Sequence, residues 1–112
     1  MGIRDTILAA QAGEKRLDVT VERWGGETLY FRRLTTRDVD NISRKYPKFF
    51  IEPSMTMLVD VLIDRAETVD GEKLFTRDDK SMLMSEPAEV IDSIARSMVL
   101  KTAEPAEEIE KN

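Results

Sequence analysis

Two short runs on either side of Trp24-Gly25-Gly26 constrain the fold of this chain most strongly. Apolar and polar side chains alternate over residues 17–21, and an apolar run follows over residues 29–31. A period of two is typical of a strand with one buried face, and adjacent glycines favour a tight reversal of the chain. The pattern therefore predicts a β-hairpin over about residues 17–34.

The length of the hairpin loop decides which side chains face the core, because a slip of one residue exchanges the two faces of a strand. A two-residue turn would place Val21 opposite Tyr30. A three-residue loop that includes Glu27 would place Val21 opposite Phe31, and we prefer it since it keeps both side chains on one apolar face. The free edges of such a hairpin can pair with a second copy of the chain, which makes a homo-oligomer one expectation.

Apolar residues at helical spacing predict five helices around this hairpin. The strongest stripe contains Leu58, Val59, Leu62 and Ala66 and follows Ser54, a residue type that caps helices. We expect this helix at the centre of the core. The predicted helices span residues 3–12, 36–46, 54–68, 77–84 and 86–101.

The chain has 112 residues, the size of one compact domain. We predict a single folded domain over residues 1–101. Residues 102–112 are acidic, interrupted by proline and nearly devoid of large apolar side chains, which predicts a flexible tail. The predicted fold class is α+β and mainly α-helical: a small helical domain with an N-terminal β-hairpin and a disordered acidic C-terminal tail. The longest apolar run, residues 57–63, is too short to span a bilayer, so no membrane partner is expected.

The chain contains neither histidine nor cysteine, which excludes His-based triads, thiol nucleophiles, redox motifs and ordinary zinc sites. The carboxylate-rich loop around Gly71 fails as an EF-hand calcium loop, because its first and last ligand positions would hold Ala66 and Arg77. Ser81 directly follows Lys80, and neighbours in a helix do not face each other, which argues against a Ser–Lys catalytic pair. We therefore expect no enzyme, no cofactor and no metal.

Charge is unevenly distributed along the sequence. The net charge is −5, yet residues 23–48 carry +4, residues 49–101 carry −5 and the tail carries −3. A basic stretch on an acidic chain indicates either a solvated face or ion pairs within the protein or with a partner, whereas nucleic-acid binders are usually basic as whole domains. Trp24 is either a core residue at the hairpin end or an exposed anchor. The candidate partner-binding residues are Trp24, Arg32, Arg33, Arg37, Arg44 and Lys45.

Three segments carry a family resemblance through their order along the chain. They are the hairpin segment WGGETLYFRRLTTRD, the helix LVDVLIDRAETVDGEKLF running into TRDD, and the closing helix PAEVIDSIARSMVL. Together they resemble the tail assembly chaperones of lambda-like phages with long flexible tails. The resemblance covers roughly residues 17–101 and contains no catalytic signature.

The resemblance implies a non-enzymatic protein of the host cell cytoplasm that binds the tape measure protein, helps recruit tail tube subunits and is absent from the mature virion. It also implies a longer product made by ribosomal frameshifting near the end of the reading frame. The ending Glu110-Lys111-Asn112 is compatible with codons GAA AAA AAC, which contain the slippery heptamer A AAA AAC.

Two readings from other classes stay open. The size of the chain also fits a structural tail-completion or connector protein of the phage particle. The basic segment also fits a small nucleic-acid-binding regulator, although the acidic chain as a whole makes nucleic acid an unlikely partner.

Overall fold

The chain folds as a β-hairpin surrounded by five helices, in a computed structural model that describes residues 2–111, with side chains described through residue 99. Short 3-10 turns cover Glu22–Trp24 and Arg77–Asp79. The predicted mainly helical α+β fold with an N-terminal hairpin is confirmed. In chain order, the elements are α1 Ile3–Ala12, β1 Leu17–Val21, β2 Glu27–Phe31, α2 Thr36–Lys45, α3 Met55–Arg65, α4 Lys80–Met84 and α5 Ala88–Lys111.

The core lies between the inner face of the hairpin and helices α3, α4 and α5, with α3 at its centre as the sequence predicts. Five residues of α3 are buried, and Ala66, just beyond the end of the helix, is also fully buried. Burying apolar side chains of this kind supplies most of the free energy that stabilises a small domain. The buried residues are Leu17, Val21, Leu29, Phe31, Ile42, Phe49, Leu58, Val59, Val61, Leu62, Ile63, Ala66, Leu83, Ile91, Ile94, Ala95 and Met98.

The hairpin register differs from both predicted alternatives. Val21 pairs with Glu27 and Leu17 pairs with Phe31, so neither the two-residue nor the three-residue loop is correct. The five residues between the strands include a 3-10 turn, and Gly25 and Gly26 close it with positive φ angles of 72° and 79°. Because this register keeps the parity of the preferred one, Val21 and Phe31 still share the buried face.

Side-chain caps begin two of the helices, α2 and α3, and the second of them is the predicted cap Ser54. The Thr35 Oγ1 accepts a hydrogen bond from the Asp38 N–H, and the Asp38 carboxylate accepts one from the Thr35 N–H, at 3.0 Å each. Ser54 Oγ accepts from the Met57 N–H at the start of α3. These bonds satisfy N–H groups that a helix N-terminus otherwise leaves without partners.

Helix α3 ends three residues earlier than predicted. The helix ends at Arg65 instead of residue 68, and Glu67 exchanges two backbone hydrogen bonds with Tyr30 at 2.8 and 3.0 Å. A second bridge joins Glu67 to Lys73, and the turn between them uses Gly71 at a φ of 87°. The outer edge of β2 offers unpaired backbone groups, and pairing with them outcompetes a further helical turn.

The C-terminal helices start close to the predicted positions. The predicted helix over 77–84 consists of the 3-10 turn and α4, whereas α5 begins at Ala88 rather than 86, and its helical assignment continues through Lys111 rather than stopping at 101. The predicted flexible tail over 102–112, which includes Glu110, Lys111 and Asn112, lies outside the residues whose side chains are described. Within the described part of the chain, no helix has both the length and the apolar character required to cross a bilayer.

Candidate partner-binding surfaces

The six predicted partner-binding residues occupy three separate places on the surface. Arg32, Arg33 and Arg37 line one cleft beside α1. Arg44 and Lys45 lie at the C-terminal end of α2, and Trp24 lies at the far end of the hairpin. The basic stretch of the sequence therefore does not form a single patch.

Trp24 is partly buried and has internal contacts. Its ring packs edge-on against Phe75, with centroids 6.3 Å apart, and its Nε1–H donates to the Glu86 carboxylate. Arg23 donates to the same carboxylate at 3.0 Å. The hydrogen bond from Arg23, followed by the one from Trp24, lowers the pKa of Glu86 against the opposing effect of burial. These contacts give Trp24 a structural role that ties the hairpin end to the start of α5.

Arg44 and Lys45 belong to surface ion pairs. Arg44 pairs with Asp40 one helical turn earlier at 2.9 Å. Lys45 reaches across to Asp64 of α3 at 3.3 Å, and this hydrogen bond raises the pKa of Lys45. Exposed pairs of this kind contribute little to the free energy of unfolding, so their main effect is to orient side chains.

The cleft beside α1 brings together residues that are distant in the sequence. It has a volume of about 730 Å³ and lies between the end of α1, the chain after β2, the first turn of α2 and the end of α3. Its lining carries six cationic and four anionic side chains. The lining residues are Gln11, Glu14, Lys15, Arg16, Arg32, Arg33, Thr35, Arg37, Asp38, Asp64, Arg65 and Glu67.

Glu67 organises one wall of this cleft. Its two carboxylate oxygens accept from Arg16 at 3.1 Å and from Arg32 at 3.0 Å. Arg16 also donates to the backbone carbonyls of Thr68 and Val69 and stacks over the Tyr30 ring. Arg16 therefore fixes the chain after α3 against the hairpin, while the Arg32 side chain remains 72% exposed.

Asp38 and Arg65 form the floor of the cleft. Arg65 Nη2 donates to Asp38 Oδ2 at 3.2 Å. Burial raises the pKa of Asp38, but the hydrogen bond from the Thr35 N–H and the positive charge of Arg65 outweigh it, and the net pKa is lowered. The Nε atom of Arg65 is buried and has no hydrogen-bond partner among the described residues.

The other two carboxylates of the cleft also have partners. Arg33 pairs with Glu14 at 2.7 Å, and Asp64 pairs with Lys45 and Arg77, which lie outside the cleft. Lys15 and Arg37 line the same cleft and form no ion pair with any residue that the structure describes.

The cleft continues into a second cavity of about 780 Å³ that shares Gln11, Glu14, Arg33, Thr35 and Arg37 with it. The residues that line only this second cavity are Ile7, Ala10, Leu34 and Thr36, and the first three of them are apolar. We call the two cavities together the α1 groove. It has one basic end and one apolar end.

Helix α1 itself leaves its apolar side chains exposed. Every residue from Ile3 to Ala12 is solvent-exposed, and Ile3, Ile7 and Leu8 are 79%, 49% and 56% exposed. Ile7 and Leu8 therefore do not anchor the helix in the core. An isolated helix of this length is only marginally stable in water. The exposed apolar side chains of α1 therefore indicate a surface that binds another element or chain.

A second apolar surface lies between the loop after α2 and helix α5. Phe49 and Phe50 pack edge-on with centroids 4.9 Å apart. A cavity of about 260 Å³ opens beside them, lined also by Pro53, Leu58, Asp92, Ala95, Arg96 and Val99. Ile51, in the same loop, is 84% exposed. We call this surface the Phe50 region. No element in the described part of the chain covers its exposed apolar side chains.

The described residues contain no group of three or more histidine, cysteine, aspartate or glutamate side chains that could hold a metal ion. The α1 groove and the Phe50 region offer charge pairing and apolar contact. Both are interactions suited to binding another chain.

Sequence reasoning identified Arg32, Arg33 and Arg37 as binding candidates and missed Lys15, Arg16, Arg65 and Glu67. Lys15 and Arg16 precede the basic stretch, and Arg65 follows it by a whole helix, so no run of charge links them. Arg16 directly precedes β1, and that position is the one sequence feature that places it beside a neighbouring strand.

No protein-family model matches the chain, and no curated protein matches it. A solved structure of the tail assembly chaperone of bacteriophage HK97 is similar to this chain, with 16% sequence identity and a TM-score of 0.48. The match covers 85% of this chain and 95% of that chain.

Proposed function

We propose that this chain is a phage tail assembly chaperone that binds the tape measure protein and helps recruit tail tube subunits in the host cell cytoplasm. It acts during assembly and is absent from the mature virion. The sequence segments around Trp24, Gly71 and α5 support the family assignment through their order along the chain.

The observation that carries this proposal is the exposure of α1. Helix α1 exposes three large apolar side chains to solvent. In a protein that acts alone, such side chains favour non-specific association. They are an advantage for a chaperone whose client is a long amphipathic helix. The client's apolar seam would otherwise be exposed to water and would drive aggregation.

The Phe50 region supports the same function as a second, separate surface. Phe50 and Ile51 are exposed beside an apolar cavity, so one copy of the chain offers two apolar surfaces. A protein with two such surfaces can hold a client and a second subunit at once, as recruitment of tail tube subunits requires.

Co-expression with the tape measure protein of the same phage tests the proposal. We expect the soluble fraction of the tape measure protein to rise with the wild-type chain. It should fall when Ile3→Ser and Leu8→Ser are combined, since both side chains are exposed and their loss should leave the fold intact. The matched control, Thr6→Ser with Ala9→Ser on the same helix, should behave as wild type, since both residues are exposed and lie outside the lining of the two cavities.

Mass spectrometry of purified virions separates this function from a structural role. A chaperone should be missing from mature particles, whereas a tail-completion or connector protein should be present in fixed copy number. Finding the chain in intact virions would replace the chaperone with the structural alternative.

The proposed longer product depends on the nucleotide sequence around Glu110-Lys111-Asn112. Reading the gene tests it: the heptamer A AAA AAC followed by an overlapping downstream frame is expected. A different string, or no overlapping frame, would remove frameshifting from the account.

A further inference from the structure

We propose that the α1 groove binds an amphipathic, acidic segment of a client protein, with carboxylates at its basic end and apolar side chains at its apolar end. This inference rests on the proposed chaperone function, since it specifies where a client segment lies and which side chains it carries. It assigns a role to residues of α1, the chain after β2, α2 and α3 that meet only in the folded chain.

The basic end has more donors than its own carboxylates satisfy. Glu67 and Asp38 each form ion pairs with arginines of the cleft, and Glu14 pairs with Arg33. Asp64 pairs with residues outside the cleft. Lys15 and Arg37 are left without an ion pair among the described residues. Carboxylates of an incoming segment could pair with each of them, and arginine binds carboxylates with favourable geometry.

The apolar end defines the other half of the ligand. Ile7 is half exposed, and with Ala10 and Leu34 it forms a wall continuous with the basic end through Gln11 and Arg37. A segment lying along the groove would therefore need apolar side chains at one end and acidic side chains at the other. An amphipathic helix or extended peptide can present both.

The charge of the groove favours a peptide over a nucleic acid. Glu14, Asp38, Asp64 and Glu67 line the same cleft and would repel a dense row of phosphates. The chain as a whole carries −5, which adds to that repulsion. Separated carboxylates on a peptide can instead pair with individual cations.

Peptide binding to the full chain tests this inference. The probe is a roughly 20-residue amphipathic peptide with leucines on one face and glutamates on the other. Its counterpart carries lysine in place of each glutamate. In fluorescence anisotropy at low salt, the glutamate peptide should bind at least about tenfold more tightly than the lysine peptide. When the glutamate peptide binds, the changes in the protein's amide chemical shifts should be concentrated at residues 7–16 and 32–38.

Substitutions locate the contact. The double variant Lys15→Gln with Arg37→Gln should weaken binding of the glutamate peptide at least about tenfold, since it removes two charge-assisted contacts. Arg44→Gln is the control, because it removes another exposed arginine of α2 that lies outside the groove. Unchanged thermal unfolding of both variants confirms that the fold is intact.

Several results would overturn the inference. They are equal affinity for the two peptides, absence of binding by the glutamate peptide, and equal losses in the groove variant and in Arg44→Gln. Tighter binding of a short DNA duplex would assign the groove to nucleic acid instead.

Co-expression separates this inference from the proposed function. If Lys15→Gln with Arg37→Gln keeps the tape measure protein as soluble as wild type does, the groove is not the client site and the chaperone function stands. If the wild-type chain does not solubilise that protein yet the glutamate peptide binds at the groove, the chaperone function fails and the groove stands.

Discussion

Asp38 links local helix geometry to the surface of the α1 groove. One of its oxygens accepts from the Thr35 N–H at the start of α2 and from Arg65 at the end of α3. The same carboxylate therefore caps one helix and joins it to another. The capping pair was predictable from Thr35 and Asp38 alone, because it depends on residues three apart. The ion pair was not, because it depends on how α2 packs against α3.

Replacing Asp38 with Asn tests both roles at neutral pH. We expect the free energy of unfolding to fall by about 1–2 kcal/mol, since the cap weakens and Arg65 loses its counter-charge. Asp40→Asn removes an exposed carboxylate of the same helix and should change stability by less than about 0.5 kcal/mol. Urea unfolding of both variants measures the difference, and equal effects would contradict the role given to Asp38.

The same pair of variants predicts a pH dependence. The pKa of Asp38 is lower in the folded chain than in the unfolded chain. Its contribution is therefore fully present above the unfolded pKa of about 4 and is lost as the pH falls through the lowered folded pKa. The stability gap between wild type and Asp38→Asn should shrink as unfolding is measured from about pH 6 toward pH 3. A constant or widening gap would contradict this sign.

Gly26 is the residue on which the hairpin loop depends. Its φ of 79° is unfavourable for residues with a Cβ, although no atom lies within 4 Å of where that Cβ would be. We expect Gly26→Ala to cost about 1 kcal/mol through backbone strain alone. Gly13→Ala, at a φ of −92°, should cost nothing measurable. Thermal unfolding compares the two, and equal losses would argue against the observed loop.

At the scale of elements, local patterns predicted which segments form helices and strands, while long-range pairing set their limits. The bounds of α1 and the burial of α3 followed from spacing and capping residues. The hairpin register did not, because a 3-10 turn lengthened the loop beyond what the two glycines indicated. The end of α3 did not either, because Glu67 pairs with Tyr30 of β2.

Helices α1 and α3 should respond to substitution in opposite ways. Ile7→Ser with Leu8→Ser should change the free energy of unfolding by less than about 0.5 kcal/mol, since both side chains are exposed. Leu62→Ala removes a side chain that is 2% exposed and should cost about 2–5 kcal/mol. Chemical unfolding measures both. A large loss in the α1 variant would show that α1 packs on the domain in solution.

Across the whole molecule, the basic stretch and the acidic half of the sequence meet in ion pairs. Arg23 pairs with Glu86, Arg32 with Glu67, and Lys45 with Asp64. The charge segregation predicted such pairing within the protein or with a partner. It could not predict the α1 groove, because that surface combines three distant parts of the sequence, and Lys15 and Arg37 become neighbours of one cavity only in the fold.

We propose that the exposed α1 surface of this chain holds a tail assembly client. The most direct measurement is size-exclusion chromatography with light scattering on the chain mixed with the tape measure protein. We expect a stable complex of defined mass that the Ile3→Ser, Leu8→Ser variant does not form and the Thr6→Ser, Ala9→Ser control does. Separate elution of the two wild-type proteins, or an unchanged complex with the α1 variant, would contradict it.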